Sequence, residues 1–267
     1  MGFSEVPDWG DSTEWQYWVI DVVKRHEQEM GYVTHPIGMT MQFPVAEQTK
    51  VNDPLYNSKA EWISPGYDDE IFAQGGHPMA PGSPPSHWID NPPLNEGRKV
   101  VITDTDHYAS TADALWAWKS FLRGHHPILM DYGIIAGVNP PDPSAGAPGV
   151  PPYAAFEAAR YAMGDSLRYA EKINLIAMEP RDDLTSTGFA LVNPGQEYLI
   201  LQPSETSDPF TVKLEPGSYM VEWFSVNTRE TRSTTGVTVD NVGDSSFTAP
   251  FEESGPAVLY LRRVEGF

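Results

Sequence analysis

The sequence predicts an α/β protein that ends in a small antiparallel β-sandwich, and three observations carry that prediction. Between Lys99 and Gly133 a strand, a helix and a second strand follow one another, and both strands finish on carboxylates. Beyond residue 176 the pattern becomes short alternating strands separated by Asn-Pro-Gly, Pro-Gly and Gly-Asp turns. The 267 residues are 40% hydrophobic and 12% aromatic, enough for one large or two modest globular domains. The division predicted is 1–176 and 177–267, with the boundary inside 174–180.

The elements follow in order. "DSTEWQYWVIDVVKRHEQEM" opens with a possible capping box, Asp11 or Ser12 followed by Glu14. It spaces Trp15, Trp18, Val19, Val22 and Val23 as a helix would, and Gly31 ends it. An extended segment, His35 to Phe43, is stopped by Pro44, and a brief strand at Ala60 to Ser64 is closed by Pro65-Gly66. A Pro/Gly-rich loop runs from Asp68 to Gly97, a length usual for functional or disordered segments. Then come a strand at Lys99 to Thr103, an amphipathic helix at Asp113 to Arg123 ended by Gly124, and a strand at Pro127 to Gly133. After a second Pro-rich loop at 139–152, a helix from Ala154 to Lys172 completes this part. No fixed-period repeat is present.

The net charge is -20, with 11 bases against 23 acids up to residue 176 and 6 against 14 beyond it. An acidic field over both parts disfavours nucleic acid and anionic membrane as partners and suits a neutral or cationic one. With no cysteine, disulfides and thiolate chemistry are excluded. No run reaches the roughly 18 apolar residues of a membrane span. The opening "MGFSEVPDWG" lacks the basic-then-apolar pattern of a signal peptide and reads like the interior of a domain, which implies an upstream portion.

The densest chemistry is "VVITDTDH". Strand alternation puts Val100, Ile102, Asp104 and Asp106 on one side, so both carboxylates point the same way. Groups at the carboxyl ends of parallel strands line active sites in α/β barrels, and Asp104, Asp106 and Asp131 fall at such positions. Glycoside hydrolysis needs one carboxylic acid to protonate the leaving oxygen and a second carboxylate to act as nucleophile or to activate water. Phosphotransfer on "DTD" wants Thr or Val where Tyr108 stands. His107 reads as a hydrogen-bonding wall residue, since a lone Asp-His pair offers too few ligands for zinc. His125-His126 reads as a structural helix-strand turn, and Asp131 as a pocket-floor residue or a partner of Arg123. Trp15, Trp18, Trp116 and Trp118 read as core, and Trp62 and Trp88 as sugar-stacking candidates.

In order and spacing, "STEWQYWVID", "HPIGMTMQFP", "WISPG", "DNPP", "KVVITDTDH", "WAWKSFLRGHHPILMD" and "ARYAMGDSLRYAEKINLIAMEPR" resemble the second half of the apiosidase-like, cellulase-like glycoside hydrolases of bacteria. The tail, "GFALVNPGQEYLILQP" through "AVLYLRR", resembles the collagen-binding-like β-sandwich that closes those enzymes. The resemblance implies a partial (β/α)8 TIM-type barrel, lacking strands one to three, followed by that sandwich. It implies Glu5 as acid/base and Asp106, or else Asp104, as nucleophile of a retaining mechanism on plant or bacterial polysaccharide-derived oligosaccharides. His107, Asp131, Trp62, Trp88 and Gln42 would bind substrate, with no cofactor and no metal. It also implies secretion or a periplasmic location, and a partner chain or upstream segment completing the barrel. The alternative is a non-catalytic carbohydrate- or matrix-binding accessory fragment.

Overall fold

Parallel strands need helical crossovers, and the first part of the chain supplies them. A computed structural model describes residues 12–40, 52–65, 87–104, 113–129, 131 and 153–264. Four short strands, β1 (Gly38–Thr40), β2 (Trp62–Ser64), β3 (Val100–Asp104) and β4 (His125–Ile128), form one sheet in sequential order, every pair parallel. One face is covered: Met39, Ile63 and Val101 pack with Leu55 and with Ile20 of helix α1 (Thr13–Met30). Leu55 lies on helix α2 (Asp53–Asn57). Helix α1 ends at Gly31, whose φ of 67° lets the Gly31 and Tyr32 amides donate back to the Gln28 and Glu27 carbonyls.

The expectation that Trp15 and Trp18 are core is overturned. They are 64% and 62% exposed, because the helix instead turns Tyr17, Ile20, Lys24 and Glu27 inward. Lys24 pairs with Glu61, and Glu27 accepts from the His35 ring at 2.7 Å, so the docking face is partly ionic and the tryptophans rotate outward. The strand predicted at Pro127 to Gly133 is also shifted. It begins at His125, and Asp131 lies beyond its end. Among the described residues β4 pairs with β3 alone, so the amide that Pro127 lacks costs no described ladder bond on its other side.

Helix α3 (His87–Asp90) and helix α4 (Ala114–Leu122) follow in the chain, and α4 is capped by Asp113, whose side chain accepts from the Trp116 amide at 2.8 Å. Helix α5 (Glu157–Lys172) packs on α4.

The second part is antiparallel. Six strands pair in the order β10 (Thr231–Val239), β9 (Gly217–Ser225), β12 (Ala257–Val264), β7 (Glu197–Gln202), β6 (Ala190–Asn193), β5 (Glu179–Pro180). Strands β8 (Phe210–Leu214) and β11 (Gly243–Phe247) make a separate pair. Period two explains the apolar runs in β7 and β12. Tyr198, Ile200, Leu259 and Leu261 face Phe210, Val212, Leu214 and Phe247, while Leu199, Leu201, Val258 and Tyr260 face Trp116, Trp118 and Tyr169 of the helices.

The helix contact is aromatic. The Trp118 ring lies 5.7 Å from Tyr169 and 5.9 Å from Phe224, and Tyr169 lies 6.2 Å from Tyr260. Arg229 adds a bidentate clamp to the buried Asp165 at 2.8 and 3.0 Å, which holds Arg229 in the left-handed region at φ 59°. Trp118 is fully buried, so Trp118→Ala is expected to cost about 3–5 kcal/mol in urea unfolding of the whole chain.

Candidate functional site

Alternation across the parallel sheet puts Gly38, Thr40, Trp62, Ser64, Val100, Ile102, Asp104, His126 and Ile128 on the face turned away from α1 and α2. At its carboxyl end this face carries Thr40, the nearly buried Ser64, and Asp104 beside its register partner Ile128. Asp104 therefore sits at the end of a parallel strand, where α/β enzymes place their reacting groups. Thr40, Ser64 and Ile128 were not singled out from the sequence, although strand-end position on the same face is a signal that would have found them.

Trp62 shares this face but not this end. It pairs with Val100, four residues before Asp104, which separates the two by about 13 Å along the strand. Its indole lies flat over Gly38 of β1, where a Cβ would meet the ring at 2.0 Å; only glycine permits that approach. Trp88 is on the other side of the sheet. It is half-buried, and its ring lies 5.8 Å from that of His125, which shares a face with Val101.

Asp131 is committed to an ion pair. Both of its oxygens accept from Arg160 of α5, one from Nη2 at 2.9 Å, and Arg160 also donates to the Tyr153 carbonyl while stacking 3.5 Å over the Tyr153 ring. Asp131 holds the Arg160 guanidinium above its ordinary pKa. Arg123, the partner considered from the sequence, instead lies 3.7 Å from Asp182 and 4.8 Å over the Phe189 ring. Of the remaining candidates, Glu5, Gln42, Asp106 and His107 lie outside the described residues.

Two hollows lie away from Asp104. One, of about 460 Å³, sits at the amino ends of β3 and β4 between Asn95, Glu96, His126, Met178, Glu179 and Leu191. The other, of about 490 Å³, is apolar and lies between β4 and α5, walled by Phe121, Pro127, Met163, Leu167 and Leu175. Among the described residues no group of three or more His, Asp or Glu side chains could hold a metal ion, and no helix is long and apolar enough to cross a membrane.

A solved structure described as a glycoside hydrolase superposes on 96% of this chain and 70% of its own length with a TM-score of 0.55 at 10% identity. The crystal structure of a glycoside hydrolase family 5 protein from Bacteroides vulgatus ATCC 8482 superposes on 94% of this chain and 66% of its own, TM-score 0.54, at 11% identity. The fold is glycoside hydrolase-like. No family model matches the sequence, and no curated protein matches it either. At such low identity the likeness concerns the path of the chain, not the site residues, and the chain spans about two thirds of those proteins.

His125 makes the strand layer pH-sensitive. It is 1% exposed, and burial pushes its imidazole down to about 4 against an opposing hydrogen bond to the Pro93 carbonyl. The folded state thus binds fewer protons at His125 than the unfolded chain between pH 6.5 and 4. The contribution is complete above pH 6.5 and is lost as the pH falls towards 4. In His125→Gln, which retains a donor without titrating, the stability difference between pH 7 and pH 4.5 in urea titrations is expected to shrink by about 2–3 kcal/mol.

Proposed function

We propose that this chain belongs to a glycoside hydrolase that cleaves oligosaccharides derived from plant or bacterial polysaccharides with two carboxylates. The observation that carries the reading is Asp104 at the carboxyl end of β3, inside an all-parallel sheet whose path follows that of solved glycoside hydrolases. In this reading the four parallel strands are part of a (β/α)8 barrel and the paired antiparallel sheets form the sandwich that follows it. Asp106, or else Asp104, is the nucleophile, and Glu5 is the acid/base. His107 and Gln42 bind sugar hydroxyls in this reading, while Trp88, half-buried against His125 on the other side of the sheet, packs there and does not stack on sugar. The acidic field of -20 suits a neutral glycan, and secretion or a periplasmic location fits a polysaccharide-derived substrate.

The chemistry is then a displacement at the anomeric carbon. The acid/base gives its proton to the leaving glycosidic oxygen as the nucleophile bonds to the anomeric carbon. Water, deprotonated by the same acid/base, then releases the sugar with its configuration retained. Carboxyl groups about 5–5.5 Å apart support retention, and about 6.5–9.5 Å would support inversion.

A second reading is a non-catalytic carbohydrate- or matrix-binding accessory. It is favoured by the ion pair that removes Asp131 from the set of free carboxylates. Incubation with xyloglucan, xylan and arabinan oligosaccharides separates the two. The hydrolase reading expects sugar release that Asp106→Asn lowers by about a thousandfold or more while far-UV dichroism stays unchanged. Retention of oligosaccharide without turnover would hand the case to the accessory reading.

A further inference from the structure

Among the described residues six serines and threonines are buried, and they divide by what their hydroxyls do. Ser58 and Ser166 donate to carbonyls three residues back, and Ser225 accepts from the Thr228 amide. The hydroxyls of Thr103 and Ser120 are sealed from solvent without a partner. Ser64 fits neither group. It is 8% exposed and its side chain forms no hydrogen bond among the described residues, yet its oxygen is not one of the sealed atoms. It therefore opens onto the uncovered face of the parallel sheet, the face that Ser64 shares with Thr40 and Asp104. Holding a hydroxyl so deeply without a partner is costly unless something else supplies one.

Register sets where that hydroxyl stands. Ile63 pairs with Val101, so Ser64 lies one step beyond this pair on β2 and Asp104 three steps beyond it on β3. A two-residue offset and one inter-strand spacing separate their Cα atoms by about 8 Å. Strand β2 is flanked by β1 and β3 of the same chain, so the neighbours of Ser64 along the sheet are fixed by its own strands. Towards the amino end this face carries Trp62, Val100 and Ile102, and at Ser64 and Asp104 it turns polar. We propose that Ser64 is a specificity-determining residue, whose hydroxyl bonds a hydroxyl of the sugar ring undergoing cleavage, on the edge of that ring remote from the anomeric carbon. The spacing suits one ring: a carboxylate at the end of β3 reaches the anomeric carbon while the serine reaches across to the far edge. A serine hydroxyl both donates and accepts, which matches a neutral hydroxyl partner. The substrate must then carry a free hydroxyl at that position.

This assignment rests on the hydrolase reading of the sheet's carboxyl end, and a cycle between protein and sugar tests it separately. Ser64→Ala removes a hydroxyl with no described partner, so its urea midpoint is expected to hold or rise. A lower midpoint would mark Ser64 as structural and overturn the assignment. On whichever of the xyloglucan, xylan or arabinan oligosaccharides the protein cleaves, Ser64→Ala should raise KM about three- to tenfold and change kcat by less than about twofold. Monodeoxy analogues of the sugar unit that supplies the anomeric carbon complete the cycle. One of them should lose about as much against the unmodified protein and nothing further against Ser64→Ala, while the others lose equally against both. An unchanged KM in Ser64→Ala, or losses that add for every analogue, overturns the assignment and leaves the hydrolase reading intact. Retention of these oligosaccharides without turnover would end the hydrolase reading instead. The same coupling measured in dissociation constants would then sustain the role of Ser64, and its absence would overturn it. A protein that neither binds nor cleaves any of them overturns both.

Discussion

The arrangement of the whole chain depends on one contact: the aromatic layer in which Trp118 and Tyr169 of the helices meet Phe224 and Tyr260 of the six-stranded sheet. Trp118, Tyr169 and Phe224 are 2% exposed or less, and ring pairs at such distances add to the free energy of the area they bury. Around this layer several polar groups are paired, although Trp118 Nε1 is buried there without a hydrogen-bond partner. The Tyr169 hydroxyl donates to Glu222 at 2.9 Å and the Tyr260 hydroxyl to Glu197 at 2.7 Å, and Lys172 bridges to Glu222. Burial raises the pKa of both phenols, first by desolvation and then through the neighbouring carboxylates, so both remain neutral donors.

That contact governs the candidate site at one remove. Helix α4 carries Trp118 on the side that meets the sheet and also packs on β4, while α5 carries Tyr169 and the Arg160 that binds Asp131. Fixing α4 and α5 against the antiparallel sheet fixes β4, and through the register Asp104↔Ile128 it fixes the end of β3. Asp131 is consumed in this scaffold. Its bidentate pairing with Arg160 ties the segment after β4 to α5, which leaves the carboxyl end of β3 as the described position where an aspartate of the parallel sheet meets the uncovered face.

What could be read in the sequence follows from how local each signal is. Strands β6 to β12 were legible because their turns carry Pro and Gly and their residues alternate, and period two needs no knowledge of the rest of the chain. The burial of Trp116 and Trp118 followed from helical spacing. The same spacing misplaced Trp15 and Trp18, because a moment gives a helix a sided character but does not say which side the protein uses. There the ionic contacts Lys24 to Glu61 and Glu27 to His35 decided the rotation. Strand β4 was misplaced by two residues because His125-His126 has low strand propensity, and its burial against Trp88 and α4 is a tertiary effect. The Asp131 to Arg160 pair spans 29 residues and could not be read from local pattern at all.

Buried polar groups without partners occur in both layers, and the one behind β3 and β4 holds more of them. Thr103 Oγ1, Ser120 Oγ and His125 Nδ1 are buried there without a hydrogen-bond partner, and Trp116 Nε1 and Trp118 Nε1 are buried without one where the helices face the antiparallel sheet. Each such atom costs roughly 1–3 kcal/mol relative to a satisfied one, whereas the Tyr169 and Tyr260 hydroxyls nearby are fully engaged. Stability is therefore expected to be somewhat lower where the helices meet the parallel sheet than where they meet the antiparallel one. Thr103 is the residue before Asp104, so the least satisfied layer of the fold lies directly beneath its candidate reactive end. Local opening should start there and leave the antiparallel sheet intact.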